Sequence, residues 1–220
     1  MNLIDINKEK FMLYYNFLVE ENEKYNLTAI TNEKEVYIKH FEDSLLMGET
    51  IDLNKPLNIC DVGSGAGFPG IPLKICYPSI DLTIIEPTRK RTNFLSLLCD
   101  KIDINVNIIN GRAEDLASQY EEKFDIVTAR AVAPTNIILE LLCKICKING
   151  TIVLYKGEKV FEELDAAKQA IKVLSLDVVD IKKFELNESY GTRYLVLLKK
   201  KEKTNPKYPR RYAEIVKKPL

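Results

Sequence analysis

The chain has 220 residues, 46% of them hydrophobic, which is enough to bury the core of one domain with an accessory segment. No apolar run approaches the roughly 18 residues that a membrane-spanning helix needs, and residues 1–5 lack the basic and apolar regions of a signal peptide. Five cysteines, an odd number, stand in apolar surroundings, so we expect buried thiols in a reducing cytoplasm and no disulfide framework.

The formal net charge is zero, but the charges are unevenly distributed along the chain. Residues 199–220 carry nine Lys or Arg against two Glu, a local charge of +7 that leaves −7 on the rest. A basic end on an acidic body favours a polyanionic partner that approaches from one side. The alternative is a solvated terminus, although Tyr208, Tyr212 and three prolines interrupt the charges.

The first fifty residues predict two helices. Apolar residues recur at helical spacing over residues 7–25. Asn32 is a candidate N-cap with Glu35 at the third helical position, which predicts a second helix that runs to about Ile51.

From residue 57 onward, strand-like and helix-like patterns alternate. The predicted strands are 57–62, 81–86, 105–110, 124–129, 151–155, 176–185 and 192–199. The predicted helices are 70–77, 89–101, 113–120, 134–147 and 159–172. This alternation predicts an α/β fold with a mostly parallel seven-stranded sheet, and a closing hairpin through residues 187–191 adds one antiparallel strand.

These patterns divide the chain into three parts. Residues 1–54 form an N-terminal helical extension, residues 55–200 form the main α/β domain, and residues 201–220 form a basic C-terminal tail.

The segment from Asp61 to Gly70 is the most informative motif. A short apolar strand ends at Asp61, and glycines follow at positions 63, 65 and 67. Glycine has no Cβ, so the backbone can turn sharply and approach a ligand closely. A strand, a glycine turn and a helix form the nucleotide-binding corner of an α/β sheet. The pattern D-x-G-x-G-x-G is typical of S-adenosylmethionine (SAM) methyltransferases, which makes Asp61, Gly63 and Gly65 candidate cofactor-binding residues.

Two other interpretations of the glycine motif stay open at this point. Residues 65–70 also fit G-x-G-x-x-G, the dinucleotide fingerprint of NAD-dependent oxidoreductases. In that fingerprint the first glycine follows the strand closely, whereas Gly63, which does so here, starts no such match because position 68 is Phe. The other alternative is a glycine turn without a ligand, as in a non-catalytic RNA-binding protein.

Acidic residues follow the next two predicted strands. Glu86 ends the second strand, about 20 residues beyond the glycine turn, where a carboxylate can accept hydrogen bonds from ribose hydroxyls. SAM and NAD both carry that ribose, so Glu86 supports a nucleotide site without choosing the ligand. Ala113 and Glu114 follow the third strand, where an adenine is expected, although acids there also suit the first turn of a helix.

Arg130 follows the fourth predicted strand, at the rim where a methyl donor would meet its acceptor. A guanidinium there could bind the carboxylate of SAM, or a phosphate or base of the substrate. A structural ion pair is the alternative.

The sequence predicts no metal site and no cysteine nucleophile. Cys143 and Cys146 form a single C-x-x-C at the end of a predicted helix, and His40 is the only histidine. Two core thiols explain this pattern better than half of a zinc site does. No residue is singled out as catalytic.

These motifs together resemble the RsmG family, once called glucose-inhibited division protein B, whose members are bacterial 16S rRNA guanine-N7 methyltransferases. The resemblance covers nearly the whole chain. The glycine motif extended through Phe68-Pro69-Gly70-Ile71-Pro72-Leu73 is far more specific than D-x-G-x-G-x-G alone. Further matching segments are 26–30, 40–45, 112–114, 128–133 and 208–211.

The resemblance implies a Rossmann-like class I methyltransferase that uses SAM and methylates one guanine, at position 527 in the usual rRNA numbering. It places SAM contacts at Gly63, Phe68, Ala113, Glu114 and Arg130. The partner is then 16S rRNA or the small ribosomal subunit. The basic tail offers RNA contacts.

The expected RNA-binding residues are Arg130 at the rim of the sheet, and Lys207, Arg210 and Arg211 in the tail.

Overall fold

Within residues 3–186 and 190–220, which the computed structural model describes, seven strands form one sheet. The strands are β1 (Asn58–Val62), β2 (Asp81–Glu86), β3 (Asn107–Asn110), β4 (Phe124–Arg130), β5 (Cys146–Lys156), β6 (Leu176–Glu185) and β7 (Thr192–Lys200). Their order is β3-β2-β1-β4-β5-β7-β6, and β7 runs antiparallel to the other six strands of this sheet. The predicted sheet is confirmed, whereas residues 187–189 of the predicted hairpin link lie outside the described residues.

The N-terminal fifty residues are helical but less regular than predicted. They contain α1 (Leu3–Ile6), α2 (Lys8–Tyr25), α3 (Glu33–Val36), a π-helical segment (Tyr37–Glu42), α4 (Asp43–Leu45) and a 3-10 segment (Leu46–Glu49). Asn26 ends α2 in the left-handed conformation, with φ of 50°. Asn32 caps α3, because its side chain accepts a hydrogen bond from the backbone N–H of Glu35 at 3.2 Å.

Seven further helices lie in the described residues after β1, most of them between strands. They are α5 (Gly70–Cys76), α6 (Arg89–Lys101), α7 (Ala113–Leu116), α8 (Thr135–Cys143), α9 (Val160–Ala166), α10 (Lys168–Val173) and, among the described C-terminal residues, α11 (Tyr212–Lys217). The prediction that α8 reaches residue 147 is wrong, because Cys146 already pairs with Phe124 at the start of β5. The predicted helix 159–172 is divided in two at Ala167.

The alternation of side chains along the strands creates two hydrophobic layers. Ile59 belongs to one layer and the next residue, Cys60, to the other. The N-terminal helices pack with α5 and α6 on the first face, and α7 to α11 cover the second. Tyr208 and Ile215 belong to the second layer, so the two ends of the chain cover opposite faces of the sheet.

The order of the strands fixes where a ligand can bind. The strands β1 and β4 are adjacent, but the chain goes from β1 to β2 on one side of this pair and from β4 to β5 on the other. Such a switch point leaves a crevice beyond the ends of the two strands. Gly63 follows β1 and Ala131 follows β4, so these two residues border the crevice. None of the helices in the described residues has the length and hydropathy needed to cross a membrane.

Candidate active site

The glycine turn after β1 combines tight packing with one open position. Gly63 and Gly65 have φ of 71° and 61°. A Cβ at Gly63 would lie 2.7 Å from a methyl carbon of Val132, so packing against the loop after β4 requires glycine there. A Cβ at Gly65 would meet no atom within 4 Å. Gly65 therefore borders free space in which a ligand fits.

Asp61 holds this turn in place. Its side chain is fully buried, and Oδ2 accepts hydrogen bonds from the Ser64 hydroxyl at 2.7 Å and the Gly70 N–H at 2.8 Å. Burial raises the pKa of Asp61 to about 6. The second carboxylate oxygen, Oδ1, is buried without a hydrogen-bond partner. The site thus keeps one acceptor for a donor that the described residues do not supply.

Glu86 fastens the same turn from the end of β2. Its carboxylate is fully buried and accepts hydrogen bonds from the N–H groups of Gly65, at 3.0 Å, and Thr88, at 2.9 Å. Arg91 lies 3.7 Å away. Glu86 is therefore a buried carboxylate at the end of its strand.

A cavity of about 280 Å³ opens beside these residues, and we call it the glycine cavity. The residues around it include Gly63, Glu86, Ala113, Glu114, Val132 and Tyr212. Four of the eight predicted cofactor positions therefore meet around one space, although they come from three different strand ends. Tyr212 was not predicted as part of this site.

A second cavity, of about 510 Å³, lies next to the first and is called the arginine cavity. Its basic lining residues are Lys39, Arg130, Lys156 and Arg193. Ala131 and Val132 line both cavities, so only the loop after β4 separates them. Ala131 has φ of 56°, a conformation that costs a non-glycine residue about 1–3 kcal/mol and persists where the surroundings enforce it.

Asp43 organises the arginine cavity. Its carboxylate is fully buried, and it accepts hydrogen bonds from Arg130 Nη1 at 2.7 Å and from Arg193 Nε at 2.6 Å. The guanidinium of Arg130 also lies 4.9 Å from the centre of the Phe68 ring. Arg130 thus forms a structural ion pair, which the sequence analysis gave as the alternative to ligand binding. It also lines the arginine cavity. Phe68 and Arg130, both predicted cofactor positions, meet on this side of the loop.

His40 lines the arginine cavity as a neutral side chain. Its ring stacks on Phe68 with the centroids 4.5 Å apart, and Nδ1 lies 3.3 Å from Arg130 Nη2. Burial and then the Arg130 charge lower the pKa of His40 to about 4. His40, Asp43 and Arg193 were not predicted as site residues. In the sequence analysis, segment 40–45 served only as a match to the family and predicted no site residue. Arg193 belongs to no motif.

The cysteines have no visible role in the site. Cys143 and Cys146 are buried, and burial raises the pKa of both thiols. Cys143 Sγ lies 3.3 Å from the hydroxyl of Thr204. Across residues 3–186 and 190–220, no group of three His, Cys, Asp or Glu side chains is placed to hold a metal ion.

The three basic residues predicted as RNA contacts in the C-terminal segment differ in environment. Arg210 is held by Glu140, which is fully buried on α8, through contacts from its backbone N–H at 2.8 Å and from Nη2 at 2.6 Å. Lys207 and Arg211 are exposed. The pairing with Glu140 favours a structural role for Arg210 and leaves Lys207 and Arg211 open to a partner.

Comparisons with solved structures identify the fold. The chain is similar to precorrin-6y C5,15-methyltransferase from Geobacter metallireducens, with a TM-score of 0.58, 17% identity and coverage of 72% of this chain and 88% of that one. It is also similar to TYW2 from M. jannaschii in complex with AdoMet, with a TM-score of 0.55, 17% identity and coverage of 72% and 75%. At this level of identity the likeness shows the fold alone, a Rossmann-like α/β fold.

Relatives with higher identity match nearly the whole chain. Ribosomal RNA small subunit methyltransferase G from Mycoplasma capricolum is 47% identical over 211 residues, which cover 96% of this chain and 90% of the relative. The protein of that name from Staphylococcus aureus strain Newman is 44% identical, with coverage of 100% and 93%. Residues 7–192 match the family model described as rRNA small subunit methyltransferase G. The chain therefore belongs to this family of SAM-dependent methyltransferases, as the resemblance at its motifs predicted.

Proposed function

We propose that this protein transfers the methyl group of SAM to N7 of a guanine in 16S rRNA, at position 527 in the usual numbering. The observation that supports this function best is the pair of adjacent cavities that share Ala131 and Val132 at the switch point of the sheet. A methyl transfer needs a donor site and an acceptor site that meet at one point. The glycine cavity suits the donor, and the arginine cavity suits the acceptor.

The residues around the glycine turn fit SAM. The free space at Gly65 leaves room for a ligand against the backbone, and the unpartnered Asp61 Oδ1 leaves an acceptor at the base of the turn. Glu86 would accept hydrogen bonds from the ribose hydroxyls, and Ala113 and Glu114 would border the adenine. When bound, SAM supplies an activated methyl group on its sulfonium.

The arginine cavity fits a nucleic-acid acceptor. Arginine and lysine side chains bind phosphate and the acceptor atoms of guanine. The carboxylate of Asp43 holds the guanidinium groups of Arg130 and Arg193 in fixed positions, so they are oriented before the substrate arrives. This arrangement would orient the guanine and exclude water. The Phe68 ring packs against both the Arg130 guanidinium and the His40 ring.

The reaction requires little acid–base catalysis from the protein. Guanine N7 carries a free lone pair and loses no proton before it attacks the methyl group, so alignment and electrostatics are the main requirements. His40, with its pKa near 4, is neutral at pH 7, and the cysteine thiols are protonated. The site matches a reaction that needs neither a general base nor a covalent nucleophile.

Further RNA contacts would come from the C-terminal segment. Lys207 and Arg211 are exposed there, on an otherwise acidic chain. The 16S rRNA, alone or in the small subunit, would be the partner, and this substrate would place the protein in the cytoplasm. The family membership gives no support to the NAD-dependent oxidoreductase or the non-catalytic alternative.

Transfer of a labelled methyl group tests this function. The purified protein should transfer methyl from labelled SAM to 16S rRNA or small subunits from cells that lack it, and cleavage at 7-methylguanine should map the label to one guanine. RNA from cells that contain the protein is the matched control and should accept little label. Label at another atom or nucleotide, or no label on either substrate, would refute the proposal.

A further inference from the structure

Tyr212 joins the C-terminal segment to the glycine cavity. It begins helix α11 and lines the cavity beside Arg112, Ala113 and Leu141. Its side chain is partly open, at 37% exposure, and the Arg112 guanidinium lies 5.8 Å from its ring centre. An aromatic ring therefore stands at the outer edge of the cavity, on the side of the third strand end.

An ion pair with a buried carboxylate fixes the chain two residues before Tyr212. Arg210, two residues earlier, donates to the Glu140 carboxylate from its backbone N–H, from Nε at 2.9 Å and from Nη2. Because Glu140 is fully buried, loss of its partner would leave an uncompensated charge, so the segment is firmly seated here. Ile215, fully buried in the second core layer, fixes α11 from its other side.

We infer that Tyr212 is a cofactor-binding residue, which forms the outer wall of the pocket against the adenine end of SAM, and that the Arg210–Glu140 pair positions it. This inference rests on the proposed function, because it takes the glycine cavity as the SAM pocket. Stacking of a purine on an aromatic side chain contributes enough to change an affinity about tenfold. The segment that carries the exposed cations Lys207 and Arg211 thus also closes the cofactor pocket.

Calorimetry with S-adenosylhomocysteine (SAH), the demethylated product, measures this contribution without any turnover. Tyr212→Ala should weaken SAH binding about tenfold, and Tyr212→Phe should stay within twofold of the parent because the ring is kept. Val216→Ala is the matched control, since Val216 is exposed on the same helix and does not line the cavity. All three variants should keep the melting temperature, because neither side chain is buried.

A second pair of variants tests the contact directly. The chain contains no tryptophan, so Tyr212→Trp creates a single fluorescent reporter in the proposed wall. Its emission should change on titration with SAH and give the dissociation constant found by calorimetry. Lys217→Trp places the same reporter at an exposed position on a different face of α11 and should not respond.

The role of Arg210 follows from a double-mutant cycle. Arg210→Ala should weaken SAH binding as Tyr212→Ala does, and the double variant should lose little more, because the two residues act as one unit. Additive losses would overturn the positioning role. Unchanged SAH affinity in Tyr212→Ala, with normal binding by the parent, would overturn the inference alone. Absence of SAH binding by the folded parent would instead overturn the proposed donor site.

Discussion

The glycine cavity and the arginine cavity are both lined by Ala131 and Val132, but they differ in the charged side chains that are withdrawn from solvent. Around the glycine cavity the carboxylates are withdrawn from solvent, with the side chains of Glu86 and Glu114 only 1% and 9% exposed. Their arginine partners Arg91 and Arg112 are largely exposed, so the inner surface offers acceptors. A ribose diol needs such acceptors.

In the arginine cavity two cations are withdrawn from solvent, together with the Asp43 carboxylate that pairs with one of them. The side chains of Arg130 and Lys156 are only 11% and 10% exposed, and Asp43 and Glu163 compensate their charges. A charge removed from water interacts more strongly with what it faces, so burial decides which sign each cavity presents. The net charge of the chain, which is zero, therefore does not predict which charges a site presents to a ligand.

The largest effect should come from a substitution that fills the open space at Gly65, and the quantity it should change is cofactor affinity. Gly65→Arg places a side chain in the open space beside the glycine turn and should abolish detectable SAH binding by calorimetry. Gly191→Arg is the control, because Gly191 has positive φ and open space too but lies outside the glycine turn, whereas the Gly65 N–H bonds Glu86 of the glycine cavity. Circular dichroism should show both variants folded. SAH binding retained by Gly65→Arg would contradict the assignment of the donor pocket.

Removal of the carboxylate from the acceptor side should cost stability rather than cofactor affinity. Asp43→Ala leaves Arg130 and Arg193 without their buried partner, and we expect a loss of about 3–5 kcal/mol in the free energy of unfolding. Urea denaturation measures it. Asp165→Asn, which removes an exposed partner of Lys168, should change nothing measurable. A folded Asp43→Ala protein that lost SAH binding would show that the two cavities are not independent.

A smaller effect is expected from the buried carboxylate of the donor side. Glu86→Gln keeps the shape of the side chain but removes the charge that would bind the ribose, so SAM affinity should fall by about 1.5–3 kcal/mol, about tenfold or more. Glu163→Gln is the matched carboxylate of the arginine cavity and should leave SAM affinity unchanged. Equal affinities in both variants would mean that Glu86 only fastens the glycine turn.

Counted per pH unit, the smallest effects are those on the pH dependence of stability, and His40 and Asp61 should contribute to it with opposite signs. The pKa of His40 falls on folding from 6.5 to about 4, so the unfolded chain binds more protons between these values and stability rises with pH across this window. The pKa of Asp61 rises from 3.8 to about 6, so the folded chain binds more protons and stability falls as pH rises from 3.8 to 6. Each contribution is at most about 1.4 kcal/mol per pH unit.

Urea titrations of His40→Gln and Asp61→Asn between pH 4 and 7 separate the two contributions. The stability difference between the parent and His40→Gln should grow with pH, and the difference between the parent and Asp61→Asn should shrink. Two difference curves of the same sign would disprove one of the two burial arguments.

The fold and the motifs of the glycine turn could be predicted from the sequence. The strand that ends at Asp61, the glycines after it and Glu86 at the end of the next strand are local patterns, and their chemistry follows from residue type and spacing. Alternating strands and helices likewise determine a mostly parallel sheet, because a crossover helix places the next strand parallel to the last. The motifs also identified the family correctly.

Two ion pairs, one in the arginine cavity and one in the C-terminal segment, could not be predicted from the sequence. Arg193 lies 150 residues from Asp43, and Arg210 lies 70 residues from Glu140, so no sequence pattern pairs them. Whether a basic residue faces an RNA or a buried carboxylate depends on which helix packs against its segment. Burial and pairing are properties of the folded chain as a whole, whereas glycine's freedom and strand periodicity are properties of a few neighbouring residues.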